Sequence, residues 1–139
     1  MKLVGRTLLG VLGLWHGLAA IQNVFDVLAE TGVAPGLRPL ASTNMGLIAK
    51  LTAPLHPPRG SVAALLTGAS AVEAAAALSF IRSARAGDAC ELGFALSLAL
   101  FGAFFLIDDA FDEYELGAKH RAVFTLVAAS YSASKAALQ

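Results

Sequence analysis

The chain has 139 residues, of which 57% are hydrophobic and only 14% charged, and its mean hydropathy is +0.68. A soluble domain would carry about a quarter charged residues and would keep its apolar runs shorter. The apolar runs of this chain reach the roughly 17 to 25 residues that a spanning helix needs. The composition therefore predicts an integral membrane protein and excludes an ordinary soluble domain.

Charge and cysteine content give no support to two further classes of protein. The formal net charge is zero, so the total charge gives no reason to expect a nucleic-acid partner. The one cysteine, Cys90, can form neither an internal disulfide nor a CxxC pair, which argues against the membrane thiol oxidoreductases.

Apolar runs in chain order predict four spanning helices, at residues 4–25, 60–81, 90–107 and 120–138. The first has the basic start of a signal peptide, but it continues past "GLAA" and three more runs follow, so we interpret it as a retained signal-anchor helix. The last is the least apolar, because "LVAASYSASKAAL" contains serines, a tyrosine and a lysine. The predicted fold is an all-α bundle of four transmembrane helices, forming a single domain over residues 1–139.

The longest stretch outside the predicted spans, residues 26–59, contains the pattern of a shorter helix. Met45, Ile48 and Leu51 recur at helical spacing. Ser42 is placed to cap their helix, and a proline-rich stretch would end it. We predict that this helix lies in the membrane interface, and a plain polar loop is the alternative.

Lysine and arginine placement sets the orientation of a membrane protein, and in this chain it is evenly divided. An even number of spans puts both termini on the same side as the short loop that follows residue 81. That side holds one set of five basic residues and the opposite side another: Lys2, Arg6, Arg82, Arg85 and Lys135 against Arg38, Lys50, Arg59, Lys119 and Arg121. We predict cytoplasmic termini from the arginine pair in the shortest loop.

One carboxylate, Glu73, stands inside the apolar run "ASAVEAAAAL". A carboxylate within the bilayer normally faces the bundle interior and has a partner there. At a rise of about 1.5 Å per residue, His16 and Glu73 both lie roughly 14–15 Å from the predicted cytoplasmic ends of their spans, and so at nearly the same depth in the membrane. We therefore predict that His16 contacts Glu73, in an intramembrane polar layer that also includes Asn23 and Ser70.

Small residues accompany this layer and predict close packing of the first two spans. Two stripes at three- and four-residue steps carry them: Gly13, His16, Ala20 and Asn23, and then Ala69, Ser70, Glu73, Ala76 and Ala77. Glu73 could be a neutral acid bonded to the imidazole, or the two groups could form a histidinium–carboxylate pair. Either arrangement would be a structural clasp, and the alternative is a proton-relay or ligand-binding site.

The segment "DDAFDEYE" places five carboxylates at the outer end of the third predicted span: Asp108, Asp109, Asp112, Glu113 and Glu115. Oxygen-rich clusters suit calcium or magnesium, but this one lacks the EF-hand pattern and its turn glycine, so no metal site is predicted. We predict a solvated acidic cap with salt bridges to nearby basic residues: Arg38, Arg59, Lys119 or Arg121. A docking surface for a basic partner is the alternative.

Three histidines, His16, His56 and His120, raise the question of a haem. They lie at three different predicted depths, which argues against ligation by two of them. The sequence contains no HExxH, phosphate-binding loop or serine–histidine–aspartate pattern, so no catalytic residue is predicted. No cofactor is predicted either, with quinone and haem as the alternatives.

The stretch "GVLGLWHGLAAIQNVFD", followed by the loop with its short helix, "LLTGASAVEAAAALSFIRSAR" and two further spans, resembles the DoxX-like and other uncharacterised small four-helix bacterial integral membrane proteins. Their second span often carries a glutamate followed by a basic loop, where this chain has Glu73 with Arg82 and Arg85. Their first span often ends in a glycine–lysine pair, where this chain has Gln22 and Asn23. The resemblance implies an accessory or quinone-associated role in membrane redox systems.

Together these features favour a small bacterial inner-membrane protein without a catalytic set, acting as an accessory or stabilising subunit of a larger membrane complex or as a homo-oligomer. Its expected partners are the lipid bilayer and other membrane subunits or its own copies, and no nucleic acid. The alternative is a transport or quinone-associated redox protein that moves a proton or small molecule at His16 and Glu73.

Overall fold

The computed structural model of the chain describes residues 2–58, 60–111 and 113–138. Within them the structure is all helical, which confirms the predicted class. It has five α-helices and two short 3-10 turns: α1 (Lys2–Glu30), the turn Pro35–Leu40, α2 (Asn44–Thr52), the turn Ala53–Leu55, α3 (Ser61–Ala86), α4 (Glu91–Ala110) and α5 (Tyr114–Leu138).

Three of the described helices, α1, α3 and α4, are long and apolar enough to cross a membrane. The helix α5 has 25 residues, which is sufficient length, but its charged side chains and serines keep it out of that group. The fourth span therefore stays a prediction, as does the position of α2 in the membrane interface.

The chain forms two compact units, and α1 and α3 each contribute residues to both. Unit 1 comprises Met1–His16 and Ala75–Gln139, and unit 2 comprises Gly17–Ala74. The single domain predicted from the sequence stays a prediction.

Unit 1 has an aromatic core. The Phe80 ring meets the Phe94 ring edge to face, with their centroids 4.9 Å apart, and Phe94 lies 5.1 Å from Tyr131 of α5. The two helices that carry the first pair approach closely at Gly93, where a Cβ atom would lie 3.0 Å from the Phe80 ring. These rings pack with buried aliphatic side chains, including Leu9 and Val127, in one apolar core.

Close packing of α1 on α3, predicted from small residues, is confirmed in unit 1. A Cβ atom at Gly13 would lie 3.2 Å from the carbonyl oxygen of Ala77 and 2.7 Å from the Ile81 side chain. The absence of a side chain at Gly13 therefore allows the two backbones to come together.

Unit 2 contains the short helix that the sequence predicted. Leu51 is buried and Met45 and Ile48 are half-buried, so the helical period identified the inward face of α2 correctly. The predicted cap was wrong, because the residue before the first turn is Thr43. The Ser42 hydroxyl accepts a 3.3 Å hydrogen bond from the backbone N–H of Asn44. It also lies within hydrogen-bond distance of the Asn23 and Asp26 side chains of α1.

The acidic segment between α4 and α5 is not one continuous helix. The helix α4 ends at Ala110, and the Glu113 amide donates a 2.9 Å hydrogen bond to the Asp108 carbonyl across the turn. Asp112 lies outside the described residues.

Candidate functional site

A cluster of polar side chains in unit 2, centred on Asn23, is the candidate site; we name it the Asn23 cluster: Asn23, Asp26, Arg38, Ser42, Asn44 and Glu73. The Asn23 side-chain amide donates to Glu73 Oε2 at 2.9 Å. Its side-chain oxygen accepts a hydrogen bond from the Ser42 hydroxyl at 2.9 Å and another from the side-chain amide of Asn44 at 2.8 Å. Because donors lie on one side of Asn23 and a carboxylate on the other, the amide has one satisfactory orientation.

Asp26 follows Asn23 on the same face of α1 and is fully buried. Its Oδ2 accepts the Met45 backbone N–H at 2.7 Å and lies 3.0 Å from the Ser42 hydroxyl. Its Oδ1 lies 2.8 Å from Arg38 Nη1, an ion-pair contact that lacks the alignment of a hydrogen bond. Arg38 therefore supplies the positive charge that a buried carboxylate needs.

The path of the chain explains how these residues meet. The helix α1 ends at Glu30, and Gly32, with φ of +77°, lies in the turn that takes the chain back along α1. The Ser42 amide donates to the Gln22 carbonyl at 3.1 Å, which fixes the returning segment to α1. Arg38 contacts Glu30 as well as Asp26 and donates to the Ser42 carbonyl, which closes this segment on itself.

Two of the four residues predicted for the polar layer, Asn23 and Glu73, are bonded to each other in unit 2. Ser70 is buried, but its hydroxyl donates to the Leu66 carbonyl one turn earlier in its own helix, at 2.7 Å. His16 belongs to unit 1. The predicted contact of His16 with Glu73 stays a prediction, and the hydrogen bonds found for these two residues go to other partners.

His16 is almost completely buried, and its Nε2 lies 2.8 Å from the Ser97 hydroxyl of α4. Aromatic rings surround it, with the Phe80 and Phe101 centroids 5.7 Å and 6.0 Å away. Its Nδ1 is buried without a hydrogen-bond partner. Ser97 has one proton and also bonds the Gly93 carbonyl, so His16 keeps either an unpaired lone pair or an unpaired N–H at Nδ1.

The acidic segment is less solvated than predicted. Asp108 is 2% exposed and bonds to Nδ1 of His120, a partner that the sequence analysis missed. Asp108 is buried because α5 packs closely against the end of α4. A Cβ atom at Gly117 of α5 would lie only 3.4 Å from the Cβ atom of Asp108. The described part of the segment also has two exposed ion pairs, Lys119 with Glu115 at 3.3 Å and Arg121 with Asp109 at 3.5 Å.

The residues that sequence reasoning missed at the Asn23 cluster come from the segment between α1 and α2. Arg38 was expected at the acidic cap and instead pairs with Asp26 and Glu30. The spacing of Asn23, Asp26 and Glu30 on one helix face was the available signal for a polar docking surface at the end of α1. Among the described residues, no group of three or more histidine, cysteine, aspartate or glutamate side chains is placed to hold a metal ion.

No family model, curated protein or solved structure matches the chain. The chemistry of the Asn23 cluster is therefore judged from its geometry. Its donors and acceptors join α1, the returning segment and α3 within one unit, which is the arrangement expected of a structural clasp.

Proposed function

We propose that the chain is an integral protein of the bacterial inner membrane with four spanning helices, both termini on one side and α2 in the interface. Its function is lateral association, in which α5 pairs with another membrane helix and the protein acts as an accessory subunit or self-associates. The Asn23 cluster serves as the clasp that keeps this small bundle in one conformation.

The observation that carries the proposal is the exposed face of α5. Small and hydroxyl side chains recur along it at steps of four and three residues, forming what we name the α5 stripe: Ala118, Ala122, Thr125, Ala129, Ser132 and Ala136. Among the described side chains of α5, Leu126 is the one large apolar residue that is exposed. By contrast, α1 exposes a series of them, including Leu14, Leu18 and Ile21.

Such a face suits a helix better than it suits lipid. Small residues let two helix backbones approach closely, and close approach increases the dispersion contacts that drive association within a bilayer. Large apolar side chains such as those of α1 are typical of a surface that lipid chains contact. The helix with the least apolar sequence is thus one whose exposed face has mainly small side chains.

The test is a paired substitution on exposed alanines. Ala129→Leu places a large side chain in the α5 stripe, whereas Ala99→Leu makes the same change on the exposed face of α4. We expect Ala129→Leu to reduce cross-linked or co-purified assemblies in mild detergent by several-fold and Ala99→Leu to leave them unchanged. Equal behaviour of the two variants, or a wild-type protein that is strictly monomeric and captures nothing, would contradict the proposal.

A second candidate function rests on the unpartnered Nδ1 of His16. An unsatisfied ring nitrogen in an apolar core is costly, and such groups are often kept for a role in proton or ligand binding. In this candidate, which also accords with the quinone association that the DoxX-like resemblance implies, His16 and Glu73 move a proton or bind a small molecule. It requires pH-dependent transport in liposomes or a bound chromophore, and unchanged behaviour of a His16→Gln/Glu73→Gln double variant would end it.

A further inference from the structure

An open groove of about 450 Å³ lies on the surface of unit 1, where the end of α3 meets the start of α4. Its lining includes polar, charged and apolar side chains, among them Ser79, Arg82, Ser83, Glu91 and Leu92. This inference rests on the spanning of α3 and α4 in the proposed function, and it does not require the association of α5. With both helices across the membrane, the short loop between them lies at a membrane surface, and the groove lies at the level of the lipid headgroups.

The groove has two opposite charges that do not pair with each other. Arg82 and Glu91 are both exposed, and no nitrogen of the Arg82 guanidinium lies within 4 Å of a Glu91 carboxylate oxygen. Within the described part of the chain, neither side chain has another ion-pair or hydrogen-bond partner. A positive and a negative group thus line one open space, which is the arrangement that a ligand with both charges would bridge.

Two hydroxyl groups accompany Arg82 on the same face of α3, because Ser79 and Ser83 lie three residues before it and one after it. Hydroxyl side chains in helices commonly donate to the carbonyl one turn earlier, as Thr67 and Ser70 do in this helix, each at 2.7 Å. Among the described contacts, the hydroxyls of Ser79 and Ser83 form no such bond. The guanidinium and the two hydroxyls therefore form a set of available donors that suits a phosphate group.

We propose that this groove binds the headgroup of phosphatidylethanolamine, with the phosphate at Arg82 and the two serines and the ammonium at Glu91. The N-terminus of α4 has no side-chain cap and adds positive potential for the phosphate. Leu92 is 63% exposed and joins the groove to the apolar surface of α4, along which the acyl chains would lie. A phosphatidylglycerol headgroup has no positive charge for Glu91, and a choline headgroup has no N–H to donate to it.

Native mass spectrometry of the purified protein, with the lipids added at equal concentration, tests the inference. We expect phosphatidylethanolamine to be retained several-fold more than phosphatidylglycerol or phosphatidylcholine. Arg82→Gln should reduce this retention several-fold, whereas Arg85→Gln, the matched control, removes an exposed arginine outside the groove lining and should not. Glu91→Gln should abolish the preference over phosphatidylglycerol, and Asp88→Asn, in the neighbouring loop, should preserve it.

Three results would overturn the inference. Stronger retention of phosphatidylglycerol by the wild type, or equal losses in Arg82→Gln and Arg85→Gln, would mean that positive charge alone attracts lipid to this end of the protein. Displacement of the lipid by soluble phosphoethanolamine at the same concentration would assign the groove to a soluble ligand instead. Because the four substituted side chains are exposed, we expect their variants to keep the wild-type unfolding midpoint.

The same measurements separate this inference from the association of α5. Arg82→Gln should leave cross-linked assemblies unchanged, and Ala129→Leu should leave lipid retention unchanged. Failure of the Ala129→Leu prediction would thus contradict the proposed association and leave the lipid site standing, and failure of the Arg82→Gln prediction would do the reverse.

Discussion

Asn23 is the residue on which the polar contacts of unit 2 converge. Its amide bonds Glu73 of α3 on one side and two residues of the returning segment, Ser42 and Asn44, on the other. A leucine has nearly the same size but can form none of these bonds. The change would leave several polar groups of a buried cluster without a partner, and unpaired buried groups cost more than the bonds themselves gain.

We therefore expect Asn23→Leu to lower the free energy of unfolding by about 2–4 kcal/mol. The measurement is denaturant or thermal unfolding in mild detergent. Gln22→Leu is the matched control, since it removes the neighbouring amide from an exposed position of α1 and should change stability little. Equal losses for the two variants would show that the Asn23 cluster does not stabilise the fold.

Ser97 provides a second residue-scale prediction. The change Ser97→Ala removes the one hydrogen-bond partner found for the buried ring of His16, so stability should fall by about 1–3 kcal/mol. Adding His16→Phe to this variant removes the unpaired ring nitrogens and should recover part of the loss. A double variant less stable than Ser97→Ala alone would contradict this explanation.

The sequence predicted part of this site for an identifiable reason. A helical period fixes which side chains share a face, so Asn23 and Glu73 could be placed on facing stripes. Arg38 lies in a short 3-10 turn and Ser42 in the irregular stretch after it, and neither is long enough for a hydrophobic period to show its path. The estimated depth of His16 was insufficient in another way, because depth along a helix does not determine which neighbouring helix its side chain meets, and His16 bonds Ser97 of α4.

At the scale of elements, two glycines of α1 have different structural roles. A Cβ atom at Gly13 would press on the backbone of α3, whereas one at Gly10 would meet nothing within 4 Å. We expect Gly13→Ala to destabilise the protein by about 1–3 kcal/mol, because α1 and α3 must separate. Gly10→Ala should be neutral or slightly stabilising, since alanine restricts the unfolded chain.

Thermal unfolding of the two glycine variants in the same detergent checks this prediction. If they shift the midpoint in the same direction and by the same amount, the contact at Gly13 does not hold the helices together.

The returning segment depends on Arg38. This side chain is 38% exposed, while its partner Asp26 is fully buried, so its loss leaves a buried carboxylate without a counter-charge. We expect Arg38→Gln to raise hydrogen exchange at the Met45 amide by about tenfold or more, through local opening. Adding Asp26→Asn should reverse part of the increase, and exchange that is insensitive to both changes would contradict this role.

The helices and the presence of a break between α4 and α5 were largely predictable from the sequence, but the position of that break was not. The four long helices follow apolar runs, but each extends beyond its run because polar flanks with good helix formers continue the same backbone geometry. The residues before and after the turn in the acidic segment have similar helix propensities, so propensity does not indicate where α4 ends and α5 begins. The turn is closed by a backbone hydrogen bond from Glu113 to Asp108, which no side-chain pattern reports.

At the scale of the whole molecule, the number of spans determines where the termini lie. Four spans put a cysteine at position 2 and one appended after residue 139 on the same side, and Gly36→Cys on the other. We expect a membrane-impermeant maleimide to label the two terminal cysteines alike and to label Gly36→Cys in the opposite way. Opposite labelling of the two termini would mean that α5 does not cross.

The chain's return from Gly32 to Met45 has a consequence for biosynthesis. The bonds from Arg38, Ser42 and Met45 to α1 require only the first 45 residues of the chain, so they can form while α3 is still being synthesised. Glu73 arrives later, at an amide of Asn23 whose oxygen is already engaged. The segment from α1 to Met45 can thus fold before α3 packs against it. The Asn23 side-chain amide is then already in position to donate to Glu73 when α3 arrives.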